Sequence, residues 1–329
     1  MASSSSDPVL SAEIERLRPW RYNHRKGDAF ISSDHPFTGA LHDVHWKPIL
    51  QHVLGVLNGI TPLSSLRAID LGCLEGHYTD VFCEAGFREV VGTDLSDRHL
   101  ERAEFLLKRF KGHKNVSLHK LNAADETGMG ALGTFNVVFC HGLLYHLKDP
   151  LKFFDVVEKM IPKDGPFYLL LATQYKGSYV LNVAPYPFAE LQIKKLRQHS
   201  AHLPDGMLYS PVDESVFERC SFRLNPAALH RVLSRAYDYK GLIAYDTPHG
   251  HRHSLNSYLI ATKQPQPSLL AALQKAPPVG CRFATWDPHT VNSYSFTRRP
   301  EAILVRTLVR LAHFFGRWAQ KIAVREVEL

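Results

Sequence analysis

Residues 68–80 read AIDLGCLEGHYTD. LRAIDLG (66–72) has the apolar weight of a buried strand, and GHYTDVFCEAG (76–86) reads as a helix closed by Gly86. Between them lies Gly72-Cys73-Leu74-Glu75-Gly76, a G-x-x-x-G turn. A dinucleotide loop needs G-x-G-x-x-G so that a helix N-terminus can meet a pyrophosphate. Here Leu74 stands where a middle glycine would be. The turn therefore suits an adenosine-type ligand without a pyrophosphate, with Gly72 and Gly76 permitting close backbone approach.

Outward from this turn the chain alternates regularly. EVVGTDL is a second strand, followed by the helix SDRHLERAEFLLKRF with Ser96 as N-cap and Leu100, Ala103, Leu106, Leu107 and Phe110 on one face. VSLHKLN is a third strand. FNVVFCHG is a fourth, followed by a helix at DPLKFFDVVEKMI, and PFYLLLAT is a fifth. GLIAYDT and LNSYLIATK form a closing antiparallel hairpin. Strands alternating with helices imply βαβ units, so the fold expected is α/β: a doubly wound, Rossmann-like, seven-stranded sheet with an antiparallel last hairpin. The expected organisation is an N-terminal helical or lid segment (1–60), a cofactor-binding half (61–175), an inserted, Pro- and aromatic-rich substrate cap (176–223), the end of the core sheet (224–263) and a C-terminal extension (264–329). In the last segment QPQPS reads as a linker, and a basic amphipathic helix begins near Pro300.

Composition excludes several classes. Hydrophobic residues are 45% and charged residues 22%, as in a soluble globular chain. The formal net charge is +7, yet residues 298–325 hold seven Lys and Arg against the single acid Glu301, so the rest is close to neutral. This speaks against a broadly basic nucleic-acid surface. Five scattered cysteines form no C-x-x-C pair, which argues against a disulfide framework or a cysteine zinc site. No signal peptide and no apolar run of the ~18 residues a membrane span needs are visible. A cytoplasmic protein is the expectation.

Asp94 closes the second strand, 22 residues after Gly72. A carboxylate there can accept both hydroxyl hydrogens of a ribose. LNAAD after the third strand offers small and polar side chains to an adenine. With these residues in place, the chain resembles the class I S-adenosylmethionine-dependent methyltransferases, whose first motif is an acidic residue followed by x-G-x-G-x-G. Asp70, Gly72 and Gly76 match it, and Leu74 departs from it. FNVVFCHGLLYHLKDPL (135–151) is similar to the fourth-strand motif of the branch with "LYH…DP", which holds tRNA wobble-uridine modifying enzymes and sugar or small-metabolite methyltransferases. RPWRYNH (18–24) is similar to the aromatic segment that precedes the core in that branch.

The resemblance implies S-adenosyl-L-methionine as cofactor, bound by Asp70, Gly72, Cys73, Leu74, Gly76, Asp94, Leu95, Asn122, Ala123, Asp125 and His141. It implies an in-line methyl transfer, in which positioning supplies much of the acceleration. His146 and His141 are the candidate catalytic residues, acting as a base if the acceptor carries a proton. Trp20, Tyr22, His24, Tyr145, Tyr175, Tyr179 and Arg223 are the candidate substrate contacts. His249, His251 and His253 alternate in PHGHRH, but no acidic or cysteine ligand stands near them, and a solvated hairpin tip is preferred to a metal site. The expected partner is a small-molecule substrate, with sugar or natural-product O- or N-methylation as the activity. A tRNA wobble-uridine transferase, with a methyl or carboxymethyl donor and a basic tail on phosphates, is the alternative. A non-catalytic cofactor-binding scaffold is a third reading. The C-terminal helix is expected to dock on the protein or on a second subunit.

Overall fold

A computed structural model describes residues 7–35, 39–40, 42–144, 147, 150–176, 233–234, 236–247, 254–275 and 282–285. Helix α1 (Pro8–Arg16) is capped by the Asp7 side chain, which accepts from Val9 and Leu10. A short antiparallel hairpin, β1 (His24–Lys26) and β2 (Ala29–Ile31), follows. A π-helical turn (His42–Trp46) leads into α2 (Lys47–Ile60). The core then runs β3 (Arg67–Leu71), α3 (His77–Glu84), β4 (Glu89–Asp94), α4 (Asp97–Glu104), β5 (Val116–Lys120), α5 (Glu126–Ala131), β6 (Val137–His141), α6 (Pro150–Lys159) and β7 (Tyr168–Lys176). Strands β8 (Gly241–Thr247) and β9 (Ser254–Thr262), helix α7 (Pro267–Lys275) and β10 (Arg282–Thr285) complete it.

The sheet order is β10-β8-β9-β7-β6-β3-β4-β5. From β7 to β5 all pairs are parallel, while β9 and β8 are antiparallel. The α/β expectation holds, with its seven strands and its closing hairpin. An eighth strand, β10, adds to β8 from within the C-terminal extension. The QPQPS linker is corrected in the same region, because α7 starts inside it, at Pro267. Leu269 and Leu273 of α7 are fully buried in one core with Ile49, Leu50 and Val53 of α2. The tail beyond residue 285, the 176–223 cap apart from its first residue, Lys176, and the histidines of PHGHRH lie outside the described residues.

Period-two alternation divides the strands between two cores. Ala68, Val90, Val137 and Phe139 face α2 and α3, while Ile69, Val91, Val138 and Cys140 face α5 and α6. The same alternation turns Asp70 toward α3, where Thr79 Oγ1 donates to its Oδ2 at 2.7 Å. Helix α4, capped by Ser96 as expected, passes into a π-helical turn at Phe105–Lys111. The wider turn buries three consecutive residues in two directions: Phe105 and Leu106 face the N-terminal segment, and Leu107 faces the sheet. Order reversal beside β3 leaves the mouth between β3 and β6 open at their carboxyl ends, where doubly wound folds bind ligands.

Candidate functional site

The turn after β3 is built by backbone. Gly72 and Cys73 N–H both donate to Thr93 O of β4, at 2.8 and 2.9 Å, and Gly76 N–H donates to Cys73 O. Gly72 and Gly76 have φ of +76° and +85°, and Leu74 has φ +50°. The middle position thus adopts the left-handed conformation a glycine would favour, although it carries a leucine. Its N–H donates to Asp94 Oδ2 at 3.0 Å. A Cβ on Gly72 would meet Leu143, and one on Gly76 would meet Leu107 and Ala103.

Asp94, at the carboxyl end of β4, is buried. Oδ1 accepts from Ser96 N–H at 2.9 Å and lies 3.1 Å from His99 Nδ1. With Leu74 on Oδ2, both oxygens are oriented, and lone pairs remain for a diol. Leu95 beside it is 36% exposed, an apolar surface open to a ligand. Ala123 is buried, and Asn122 Oδ1 accepts from Ala124 N–H. Asp125 is the N-cap of α5 and accepts from Thr127 N–H, so that carboxylate already has a structural partner. This set, an oriented carboxylate beside a glycine turn and an exposed leucine, fits an adenosine-type cofactor.

Asp70 and Asp94 are both buried near the turn. Burial pushes the Asp70 carboxyl up to about 7; the Thr79 hydroxyl opposes this and the Asp94 charge adds to it. Burial, and then the Asp70 charge, also push up the Cys73 thiol.

The missed residue is Glu75. It is 2% exposed, and its carboxylate accepts from Arg21 N–H and Tyr22 N–H, with His24 Nε2 at 3.2 Å. The N-terminal segment is thereby fastened to the Gly72–Gly76 turn. Tyr22 stacks on His77 (centroids 4.5 Å apart, planes at 24°), and His24 meets the same ring edge-on. His42 Nδ1 is hydrogen-bonded to the Tyr78 hydroxyl. Tyr78 stacks on His141 at 4.5 Å, and Trp46 meets His141 edge-on. Burial holds His42 down at about 3 and lowers His77 and His141 well below the ordinary range. The imidazoles of His42, His77 and His141 are therefore uncharged at neutral pH. His77 Nε2 and His141 Nδ1 are buried without a hydrogen-bond partner.

Tyr22 and His24 accordingly lie beside the turn. Trp20 is corrected to an anchor. Fully buried, it donates from Nε1 to Ile14 O and packs on Phe105, in a cluster with Leu17 and Ile31. Arg102 and Arg98 of α4 fix the same segment by donating to Leu17 O and Arg18 O. Tyr175 falls in β7 by its backbone. Tyr145, His146, Tyr179 and Arg223 lie outside the described residues. Among the described residues no cluster of three or more His, Cys, Asp or Glu is placed to hold a metal, and no helix is long and apolar enough to cross a membrane.

Residues 69–167 match the family described as "Methyltransferase domain". The tRNA U34 carboxymethyltransferase of Actinobacillus succinogenes is 28% identical over 156 residues, 47% of this chain and 44% of that protein. The Helicobacter pylori protein of the same name is 33% identical over 150 residues, 45% and 52% of the two chains. The chain spans about half the length of these relatives. Among solved structures, the N-terminal domain of EvdMO1, crystallised with SAH and D-fucose, superposes with a TM-score of 0.52 at 17% identity, covering 79% of this chain and 98% of that one.

Proposed function

We propose that this chain, whose residues 69–167 match the methyltransferase-domain family, transfers a methyl group from S-adenosyl-L-methionine to a small hydroxyl- or amine-bearing metabolite. The observation that carries the cofactor reading is the union of the Gly72–Gly76 turn with Asp94 through the Leu74 N–H, at the point where the strand order reverses. Asp94 would accept the ribose hydroxyls, Leu95 and Ala123 would border the adenine, and Gly72 would give room at the methionine end. When bound, the cofactor supplies a methyl already activated on a sulfonium. The protein's share is placement and exclusion of water, by the wall of Tyr22, His42, Tyr78 and His141. His141, uncharged and with Nδ1 unpartnered, would be one histidine able to hydrogen-bond an acceptor, and His77, with Nε2 unpartnered, would be another. The enclosed, aromatic, uncharged character of this wall supports a small acceptor.

A second reading, modification of a tRNA wobble uridine with a methyl or carboxymethyl donor, is supported by the names of the relatives. Calorimetry with S-adenosylhomocysteine tests the cofactor: micromolar binding is expected, weakened about tenfold or more in Asp94→Asn, as for loss of hydrogen bonds to a charge. Absence of binding to the wild type refutes the reading. Transfer to tRNA, with salt-sensitive binding that is weakened by deleting residues 298–329, would replace the small acceptor with RNA.

A further inference from the structure

Glu75 lies inside the turn assigned to the cofactor, yet its side chain is bonded to the N-terminal segment. A buried carboxylate must be matched by donors. Here they are two consecutive main-chain amides, Arg21 (3.0 and 2.9 Å to the two oxygens) and Tyr22 (2.7 Å), with the His24 ring as a third partner. The residues on either side of Glu75 make different contacts. Leu74 N–H holds Asp94 Oδ2, and Gly76 begins α3, whose first residue, His77, lies under Tyr22. One five-residue turn thus grips the ribose-type carboxylate with its backbone and the N-terminal wall with its side chain.

We propose that Glu75 is a positioning residue that couples occupancy of the cofactor turn to the placement of Tyr22 and His24 on the acceptor side. This rests on the cofactor reading above. A ligand that orders the Gly72–Gly76 backbone fixes the base of the Glu75 side chain, and so tightens its hold on Arg21 and Tyr22. By reciprocity, a well-placed segment favours the bound form of the turn. The segment has separate anchors in Trp20, Arg98 and Arg102, so loss of Glu75 should loosen residues 21–24 without detaching the chain.

The test is site-resolved hydrogen exchange with and without saturating S-adenosylhomocysteine, in the wild type and in Glu75→Gln. In the wild type the ligand should slow exchange at the Arg21 and Tyr22 amides about fivefold or more, the lower range of typical site–site coupling. In Glu75→Gln those amides should exchange about tenfold faster or more. The ligand-induced slowing should vanish there while the ligand still binds. The Trp20 amide, held by Asp34 Oδ2 at 2.7 Å, is the internal control for an intact fold and should not change. Binding that leaves the wild-type Arg21 and Tyr22 amides unaffected overturns the proposal, and this arm decides the matter even if Glu75→Gln does not fold. Slowing that persists in a folded Glu75→Gln also overturns it. No binding in the wild type overturns the cofactor reading itself, and this proposal with it.

Discussion

Replacing Asp70 by Asn should change how stability depends on pH. The carboxyl is 2% exposed and is raised from 3.8 to about 7, first by burial and further by the Asp94 charge. The folded state therefore holds a proton that the unfolded chain releases. Stability from this group is fully present below about pH 4, falls as the pH rises, and levels off above about 7. The whole displacement corresponds to about 4 kcal/mol, and about 3 kcal/mol of it falls between pH 5 and pH 8. An asparagine keeps an oxygen for the Thr79 hydroxyl and cannot ionise. Urea unfolding of both proteins without ligand, at pH 5, 6, 7 and 8, gives the difference directly. Wild type should lose about 3 kcal/mol relative to Asp70→Asn across that range. Parallel curves would show that Asp70 stays ionised in the fold and that the burial argument is wrong.

Two further substitutions test the turn. Leu74→Gly should be at least as stable as Leu74→Ala by thermal unfolding, reversing the usual cost of about 0.5–1 kcal/mol for Gly against Ala, because φ is +50°. A clearly less stable glycine variant would count against the left-handed geometry. Gly92→Ala should cost about 1–3 kcal/mol in chemical unfolding, since its Cβ would lie 2.7 Å from Leu118 Cδ2 and 3.1 Å from Cys73 Sγ. A neutral result would show that the floor of the turn has slack.

The strand pattern and the placement of Asp94 at the end of β4 were legible in sequence because both are local signals. Asp94 ends an apolar run at a fixed distance from Gly72, and Ser96 caps the helix that follows. Leu74 was legible only as an oddity. A leucine in a left-handed turn contradicts its own preference, and the Thr93 O and Asp94 anchors help hold it there. The hold of Glu75 on the N-terminal segment was not legible: its main-chain partners, Arg21 and Tyr22, are more than fifty residues away and leave no trace in side-chain pattern. Trp20 looked like Tyr22, since an aromatic in a lid and one in a core are the same letter. The alignment of Tyr22, His42, Tyr78 and His141 needed the N-terminal segment, α3 and β6 to meet in space.

The eighth strand carries a practical consequence. Anyone trimming this protein to its family core would cut near residue 263, after β9. That cut would strip β10 from β8 and leave an open strand edge offering unpaired amides to another molecule, a recognised route to aggregation. It would also remove Leu269 and Leu273 from the groove they fill beside α2. A fragment that keeps β10 paired therefore has its boundary beyond Thr285, so the last sixty-odd residues are not one dispensable tail. Within them, α7 and β10 belong to the packed fold.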